Sequence, residues 1–419
     1  MNRVEPGSHV IVINRWREHY ADYDSYLDHR AHRVTYVTTA VGRESVPATA
    51  TASVTVEATD DMTQVEAAVQ RLVDRHGPPA HVVALKEDDL LVGAALRQRW
   101  KCPGPGLDAL ALFRDKYEMA TAVAAAGLPL PAFTLVVDGA GVREFAAVHG
   151  WPVVVKPLSG SSSAGVRRLD RPTAVGAVDF TEGPLLAQAF DPHPIYHVDG
   201  VFSGETLMAC RASRYLNTCL GFREGGVLGS VEESDDLVNR LVAEHAERIM
   251  RALTDRPTVF HLELFVDREH RTCSFLEVGA RAGGAEVPFI WRELHGYDLV
   301  RAAFRIQLGM PPEPPPAVQP EIGGWLLVPA PARRPCRITE ITSMVGRRPG
   351  PYAEALLTAG DVLPAADSYY EHVGGRFRFR GRTSAAVAEA IRATAAEFRV
   401  DAVPVVRPLT AAVGACVHR

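Results

Sequence analysis

Apolar and polar residues change period several times along this chain, and each change marks an element. Between residues 9 and 85, short apolar or β-branched runs at His9–Asn14, Arg33–Thr38, Ser53–Glu57 and His81–Leu85 read as strands. Asp61–His76 carries the 3.6-residue spacing of an amphipathic helix, and Gly77, Pro78 and Pro79 end it sharply. Strands alternating with helices predict a parallel, doubly wound α/β domain over residues 1–114. No glycine-rich turn follows the first strand, so a dinucleotide is not the ligand expected there.

A second pattern begins at Asp115-Lys116-Tyr117-Glu118, which has the form of a capping box. The spacing predicts a helix to Ala126, with Gly127 as its C′ residue and Pro129 and Pro131 beyond. A strand at Phe133–Val137, a helix around Val142–His149 and a stiff run Pro152–Lys156 follow. The longest predicted helix is Ser234–Leu253, with Leu237, Val238, Leu241, Val242, Ala246, Ile249 and Leu253 as its apolar stripe. Pro311–Pro316 fits neither helix nor inner strand and marks a linker. Residues 311–419 then read as a linker and a small α+β unit, with strands at Gly324–Val328, Tyr369–His372 and Arg376–Arg380 before the helix Thr383–Phe398. In Arg376–Arg382 arginines alternate with phenylalanines, as in an edge strand with one charged face.

The candidate chemistry lies between these flanks. Phe260–Val266 and Thr272–Arg281 read as two strands joined by the polar turn Asp267–Arg271. His261, Glu263 and Phe265 share one face of the first; Phe275, Glu277, Gly279 and Arg281 share one face of the second. Antiparallel closure puts Glu263 opposite Glu277 or one diagonal away. Two carboxylates side by side repel unless a cation lies between them, and few oxygen ligands completed by phosphate are how magnesium is usually held. Arg281 close beyond suits an anionic substrate. A Mg-nucleotide site is one reading, and the solvated face of a hairpin is the other.

Upstream, Lys156 and Pro157 lead into a loop of Ser159, Gly160, Ser161, Ser162, Ser163, Ala164 and Gly165. Small residues let consecutive backbone N–H groups approach phosphate oxygens, and a flexible surface hairpin turn is the competing reading of the same residues. No Gly-Lys-Ser/Thr closes this loop, so it is not a P-loop. The net charge of −5, with no compensating basic block, argues against a nucleic-acid partner. No segment approaches the roughly 18 apolar residues of a membrane span. Six cysteines without a CxxC spacing fit reduced thiols, and a cytoplasmic location is expected.

Asp115-Lys116, Val155-Lys156-Pro157 with its Gly/Ser loop, Leu185–Phe190, Tyr196–Gly200, Phe260–Glu263 and Leu276–Gly284 occur in the order of the ATP-grasp motifs, and residues 116–310 resemble that superfamily. Within it the carboxylate–amine ligases of the L-amino-acid ligase group are most similar. The resemblance implies an ATP-grasp architecture: a doubly wound N-terminal domain, central nucleotide-binding subdomains over 115–310 (small lobe about 115–190) and a small C-terminal α+β domain. It implies ATP as the nucleotide and Mg2+, with Mn2+ as an alternative metal. Lys116 and Lys156 would contact the α- and β-phosphates, the 159–165 loop would close over the β/γ end, and Gln188, Ala189 and Phe190 would form the hinge against adenine. Glu263 and Glu277 would bind the metal, and Arg281 would hold an acyl phosphate. Two departures are visible. A ribose-gripping acid is replaced by Ile195, for which Asp191 or Asp199 could substitute, and the usual Asn after the second metal Glu is Gly279.

The reaction implied is ADP-forming amide synthesis from an amino-acid carboxylate and an amine, of the kind used in natural-product biosynthesis. His261, as base or structural histidine, and His197, Gly283, Gly284 and Glu286 are candidate substrate contacts. Small-molecule substrates and a homodimer are the expected partners. A purine-pathway or carboxylase-type ATP-grasp reaction and a non-catalytic nucleotide-binding regulator are the competing readings.

Overall fold

The computed structural model describes residues 4–16, 20–317, 319–365 and 373–405. Strands β1 (His9–Asn14), β2 (Arg33–Thr38), β3 (Ala52–Thr55) and β4 (His81–Ala84) form a parallel sheet in the order β3-β2-β1-β4. Every residue of β1 is buried, as a strand covered on both faces requires. Ile11, Ile13, Val37, Val82 and Ala84 pack against α2 (Met62–His76) and α3 (Leu90–Trp100), which follow the short α1 (Tyr23–Tyr26). The Asp61 side chain caps α2 by accepting from the Gln64 N–H at 3.1 Å. On the opposite face, Val10, Val12, Val34, Tyr36 and Val83 meet Tyr23 and Tyr26, together with Val300, Phe304 and Leu308 from far along the chain.

After α4 (Leu107–Ala111), Asp115 caps α5 (Lys116–Ala125) through the N–H groups of Tyr117 and Glu118. A small lobe follows: β5 (Phe133–Val136), α6 (Gly139–His149), β6 (Val153–Pro157), β7 (Arg167–Leu169) and β8 (Leu185–Ala189), in the sheet order β5-β8-β6-β7.

The central sheet is built from β9 (Ile195–Phe202), β10 (Leu207–Tyr215), β11 (Leu228–Glu232), β12 (Thr258–Asp267), β13 (Thr272–Gly279) and β14 (Ile322–Pro329). Helices α7 (Cys219–Arg223), α8 (Asp236–Leu253), α9 (Val287–His295) and α10 (Leu299–Gln307) are interleaved with them. Beyond lie β15 (Cys336–Ile341), β16 (Ala353–Leu356), β17 (Val362–Leu363), β18 (Val373–Gly381), α11 (Ser384–Glu397) and β19 (Val400–Pro404). Among the described residues the sheet order is β13-β12-β9-β10-β11-β14-β18-β16, so strands after the proline segment continue the central sheet. Pro311–Pro316 itself carries no regular structure.

Three expectations change. The Arg376–Arg380 strand is not an edge: β18 lies between β14 and β16. Its alternation remains, with Phe377 and Phe379 in the core against α11 and the arginines on the other face. Leu237 is 48% exposed, because the apolar stripe of α8 is narrower than drawn and runs through Val238, Val242, Ala246, Ile249 and Leu253. Finally, Phe275 does not share the Glu277 face. The β12–β13 register jumps after Glu263–Glu277 to Leu264–Phe275, a bulge at Leu276 that turns Phe275 into the core. The expected strand Tyr369–His372 lies outside the described residues.

Candidate active site

β12 and β13 bring the carboxylates together: Glu263 pairs directly with Glu277, and His261 with Gly279. Because β9 runs on the other side of β12, His197 stands opposite Glu263 and Asp199 opposite His261. The face opposite the α8 core thus gathers the polar groups, while Phe260, Leu262, Leu264 and Val266 fill that core.

A cleft of about 450 Å³ opens on this face between the small lobe and the central sheet. Lys116, Lys156, Gln188, Ala189, Phe190, Glu263 and Glu277 all line it, with Gly160, Ser161 and Ser163 of the loop. Lys156 is only 3% exposed, and burial pushes its ammonium down to about 8 against the pull of Glu277. The Lys116 ammonium lies 3.6 Å from Glu277 and donates to the Gly160 carbonyl at 3.1 Å. Two cations thus face two carboxylates across a gap, a donor set suited to a triphosphate and a hard divalent cation.

The loop is shaped from within. Ser162 and Ser163 adopt left-handed backbone (φ 59° and 55°), and Arg223 donates to the Ser162 carbonyl at 2.9 Å. Gly165 (φ 70°) sits so near Pro157 that an added Cβ would come within 2.7 Å of its ring. Ser162 and Gly165 therefore set the turn, while Gly160, Ser161 and Ser163 reach the cleft wall and Ser159 does not. At the hinge, the N–H groups of Ala189 and Phe190 already donate to the Ala132 and Pro152 carbonyls, so neither is available to a purine edge. Arg168 lies over the Phe190 ring, 4.1 Å from its centroid.

Asp199 is 1% exposed and accepts from His197 Nδ1 at 2.6 Å and His261 Nδ1 at 2.8 Å. Burial would raise this carboxyl, but the two imidazoles outweigh it and hold it well below the usual range. Asp199 is thus closed off from the cleft, whereas Asp191 lines the cleft wall with Ile195 and its Oδ1 accepts from His193 Nδ1 at 2.7 Å. Both ring nitrogens of His197 are taken, by Asp199 and by Ser230 at 2.7 Å, and neither His197 nor His261 nor Arg281 lines the cleft itself. His261 resists the pull of burial because Asp199 faces it, and rises to about 9. Its Nε2 lies 3.7 Å from Glu263, beyond hydrogen-bond length, which places the ring between the Asp199 and Glu263 carboxylates. Since each Asp199 oxygen already binds an imidazole, this buried trio is a closed hydrogen-bond network. Gly283 closes against it: a Cβ there would stand 2.1 Å from Asp199 Oδ1.

Arg281 donates through Nε to Glu87 at 2.6 Å and through Nη1 to the Ala282 carbonyl at 2.9 Å. Glu286 is buried beneath Arg376 and Arg378 at 3.7 and 3.5 Å, so its charge is already matched from β18 and it is not an open acceptor for a substrate ammonium. Gly284 has open space around its Cα.

Sequence reading missed four contributors. Tyr215 donates to Glu263 at 3.0 Å from β10, a position that strand alternation alone could have marked. Thr218 and Cys219 wall the cleft from the start of α7, without a local signal. Glu87 arrives from the turn after β4, where Glu87-Asp88-Asp89 reads as a solvated acidic cluster.

No family model matches the chain. It is 24% identical over 245 residues to an L-arginine-specific L-amino acid ligase of Bacillus subtilis, spanning 54% of this chain and 58% of that relative. Over 108 residues it is 37% identical to a D-alanine–D-alanine ligase of Kocuria rhizophila, covering 24% of this chain and 27% of that one. Among solved structures, an L-amino acid ligase from Bacillus licheniformis superposes with a TM-score of 0.75 at 18% identity, covering 95% of this chain and 99% of the other. The chain has the ATP-grasp fold and resembles amino-acid ligases in sequence and in structure.

Proposed function

We propose that this protein is an ATP-dependent ligase that joins a carboxylate, an amino acid, to an amine and releases ADP and phosphate. The observation that carries the reading is the direct pairing of Glu263 with Glu277 in a cleft that also holds Lys116 and buried Lys156. Oxide is a poor leaving group, so a carboxylate must first become an acyl phosphate before an amine can displace it. Glu263 and Glu277 would hold Mg2+, which supplies charge neutralisation between the phosphoryl groups. Lys116 and Lys156 bind the α- and β-phosphate oxygens, and the 159–165 loop covers the transferred end and excludes water. Arg281, a planar fork of donors, holds the acyl phosphate as charge develops on it. Tyr215 orients the Glu263 carboxylate by donating to its Oε1, and His261 Nε2 stands 3.7 Å from the same oxygen. Substrates of small size, giving a dipeptide or related amide, fit this reading.

The test is phosphate release from MgATP across amino acids supplied singly and in pairs, with the nucleotide product identified. ADP with an amide product supports the proposal. AMP and pyrophosphate would point to adenylate chemistry and remove it.

A further inference from the structure

Arg281 is not held by its own lobe alone. Its guanidinium leans on Glu87, a residue 194 positions earlier, in the turn that leaves the carboxyl end of β4. The same carboxylate forms an ion pair with Arg114, whose Nη1 lies 2.8 Å from its Oε1, and the adjacent Asp88 accepts from Arg114 Nη2 at 3.3 Å. Asp88 also receives the Ser161 hydroxyl of the phosphate-side loop at 3.5 Å. One acidic turn of the N-terminal sheet therefore touches the β13 end, the approach to α5 and the 159–165 loop.

A role in stability alone does not account for this. A half-buried ion pair roughly balances its desolvation against its Coulomb gain, and an apolar pair of like volume often does as well. What the pair does fix is direction. With Nε bound to Glu87 and Nη1 bound to the Ala282 carbonyl, the guanidinium plane cannot rotate. Nη2 has no protein partner among the described residues and is the edge left for a ligand. Such pre-set donors are what an active site needs where charge builds up in the transition state.

We propose that Glu87 is a positioning residue: through Arg281 it aims the guanidinium fork at the transferred phosphoryl group, so the N-terminal sheet takes part in catalysis without touching substrate. This rests on the ligase reading above. Burial would raise the Glu87 carboxyl, but Arg281 and Arg114 outweigh it and keep it charged.

The experiment compares Glu87→Gln and Arg114→Met with wild type by turnover and by the side-chain Nε–H signal of Arg281 in 15N-arginine-labelled protein. Positioning predicts that Glu87→Gln loses about 10–100-fold in kcat, since removing one preorganised donor outright costs about 100–1,000-fold. The KM for ATP should move less than threefold, the protected Nε–H signal should vanish, and Arg114→Met should stay within threefold of wild type in kcat. Should Glu87→Gln fail to fold, Glu87→Asp, which draws the charge back by one methylene, carries the same comparison. Wild-type turnover in the Glu87 variant overturns the proposal. So does an equal fall of kcat and thermal stability in both variants, which marks a structural contact. If wild type joins no acid to any amine, the ligase reading fails separately, and an unchanged Nε–H signal in the Glu87 variant would still sink the positioning role.

Discussion

Replacing Gly283 by alanine adds one methyl group where the fold leaves no room for it. The new Cβ would lie 2.1 Å from Asp199 Oδ1, 2.9 Å from its Cγ and 3.0 Å from Val287 Cγ1, whereas ordinary contact begins at 3.4 Å. A displacement of about 1.3 Å is needed, since 3.4 less 2.1 is 1.3. Gly283 is not among the residues with positive φ, so the effect is steric and carries no backbone penalty. If Asp199 yields, it loses two charge-assisted hydrogen bonds at 2.6 and 2.8 Å. Overpacking of this kind costs about 1–3 kcal/mol, and a weakened bond to a charged group adds about 1.5–3 kcal/mol. A loss of about 2.5–6 kcal/mol is expected along that route. If the loop yields instead, it carries Arg281, two residues away, off Glu87, and a misplacement near 1 Å can remove about 100-fold in rate. Denaturant unfolding and phosphate release, measured together, tell which partner gives. Gly284→Ala is the control for stability, because its Cβ would meet nothing within 4 Å. A Gly283→Ala protein as stable and as active as wild type would refute the packing argument.

Glu277→Gln should abolish metal-dependent phosphate release while circular dichroism shows an intact fold, because an amide cannot balance the cation; unchanged turnover would remove the metal assignment. Lys156→Met should weaken MgATP binding about 10–100-fold by calorimetry, the loss of one charge-assisted contact, and equal affinity would make the buried lysine purely structural. Asp89, raised to about 6 mainly by burial in spite of Arg15, stabilises the fold in its neutral form; that contribution is present below its unfolded value of about 4 and lost as pH rises through about 6. Asp89→Asn stays neutral, so its stability relative to wild type should grow by up to about 3 kcal/mol between pH 4 and pH 7, and a pH-independent difference in urea midpoints would contradict the assignment.

What the sequence revealed of the site followed from local periods. That Glu263 and Glu277 come close was readable because strand faces alternate and Asp267–Arg271 is short, but the turn register alone, Asp267 with Thr272, would set Glu263 opposite Leu276, and the direct pairing needs the bulge there. The bulge at Leu276 was not, since an extra residue in one strand leaves the hydrophobic pattern almost unchanged. Capping by Asp115 was legible from four consecutive residues. The Arg376–Arg380 strand was placed at an edge because its charged face looked solvated; the glutamates of α9 that cover it cannot be seen from β18 alone. His197 and Glu286 looked available for the same reason, their partners lying 33 and about 90 residues away. The groups hidden from sequence are those whose neighbours are set by topology.

The helix α10 has a consequence for synthesis. Val300 and Phe304 of this helix, with Leu308 after it, cover one face of the parallel sheet, and the Gln307 amide bridges the Ala84 N–H and carbonyl at 2.7 and 2.6 Å. Arg97, buried without a carboxylate, donates to that same Gln307 side chain at 3.1 Å. A nascent chain that has just released residue 114 therefore holds a sheet whose face of Val10, Val12, Val34, Tyr36 and Val83 is covered in part by Tyr23 and Tyr26, with the α10 side still open. Residue 308 follows 194 residues later, or ~10–40 s at ~5–20 residues per second. For that interval the oldest part of the molecule is its least finished, a vulnerable surface that a trigger-type chaperone would be expected to shield and that no redesign confined to residues 1–114 can remove.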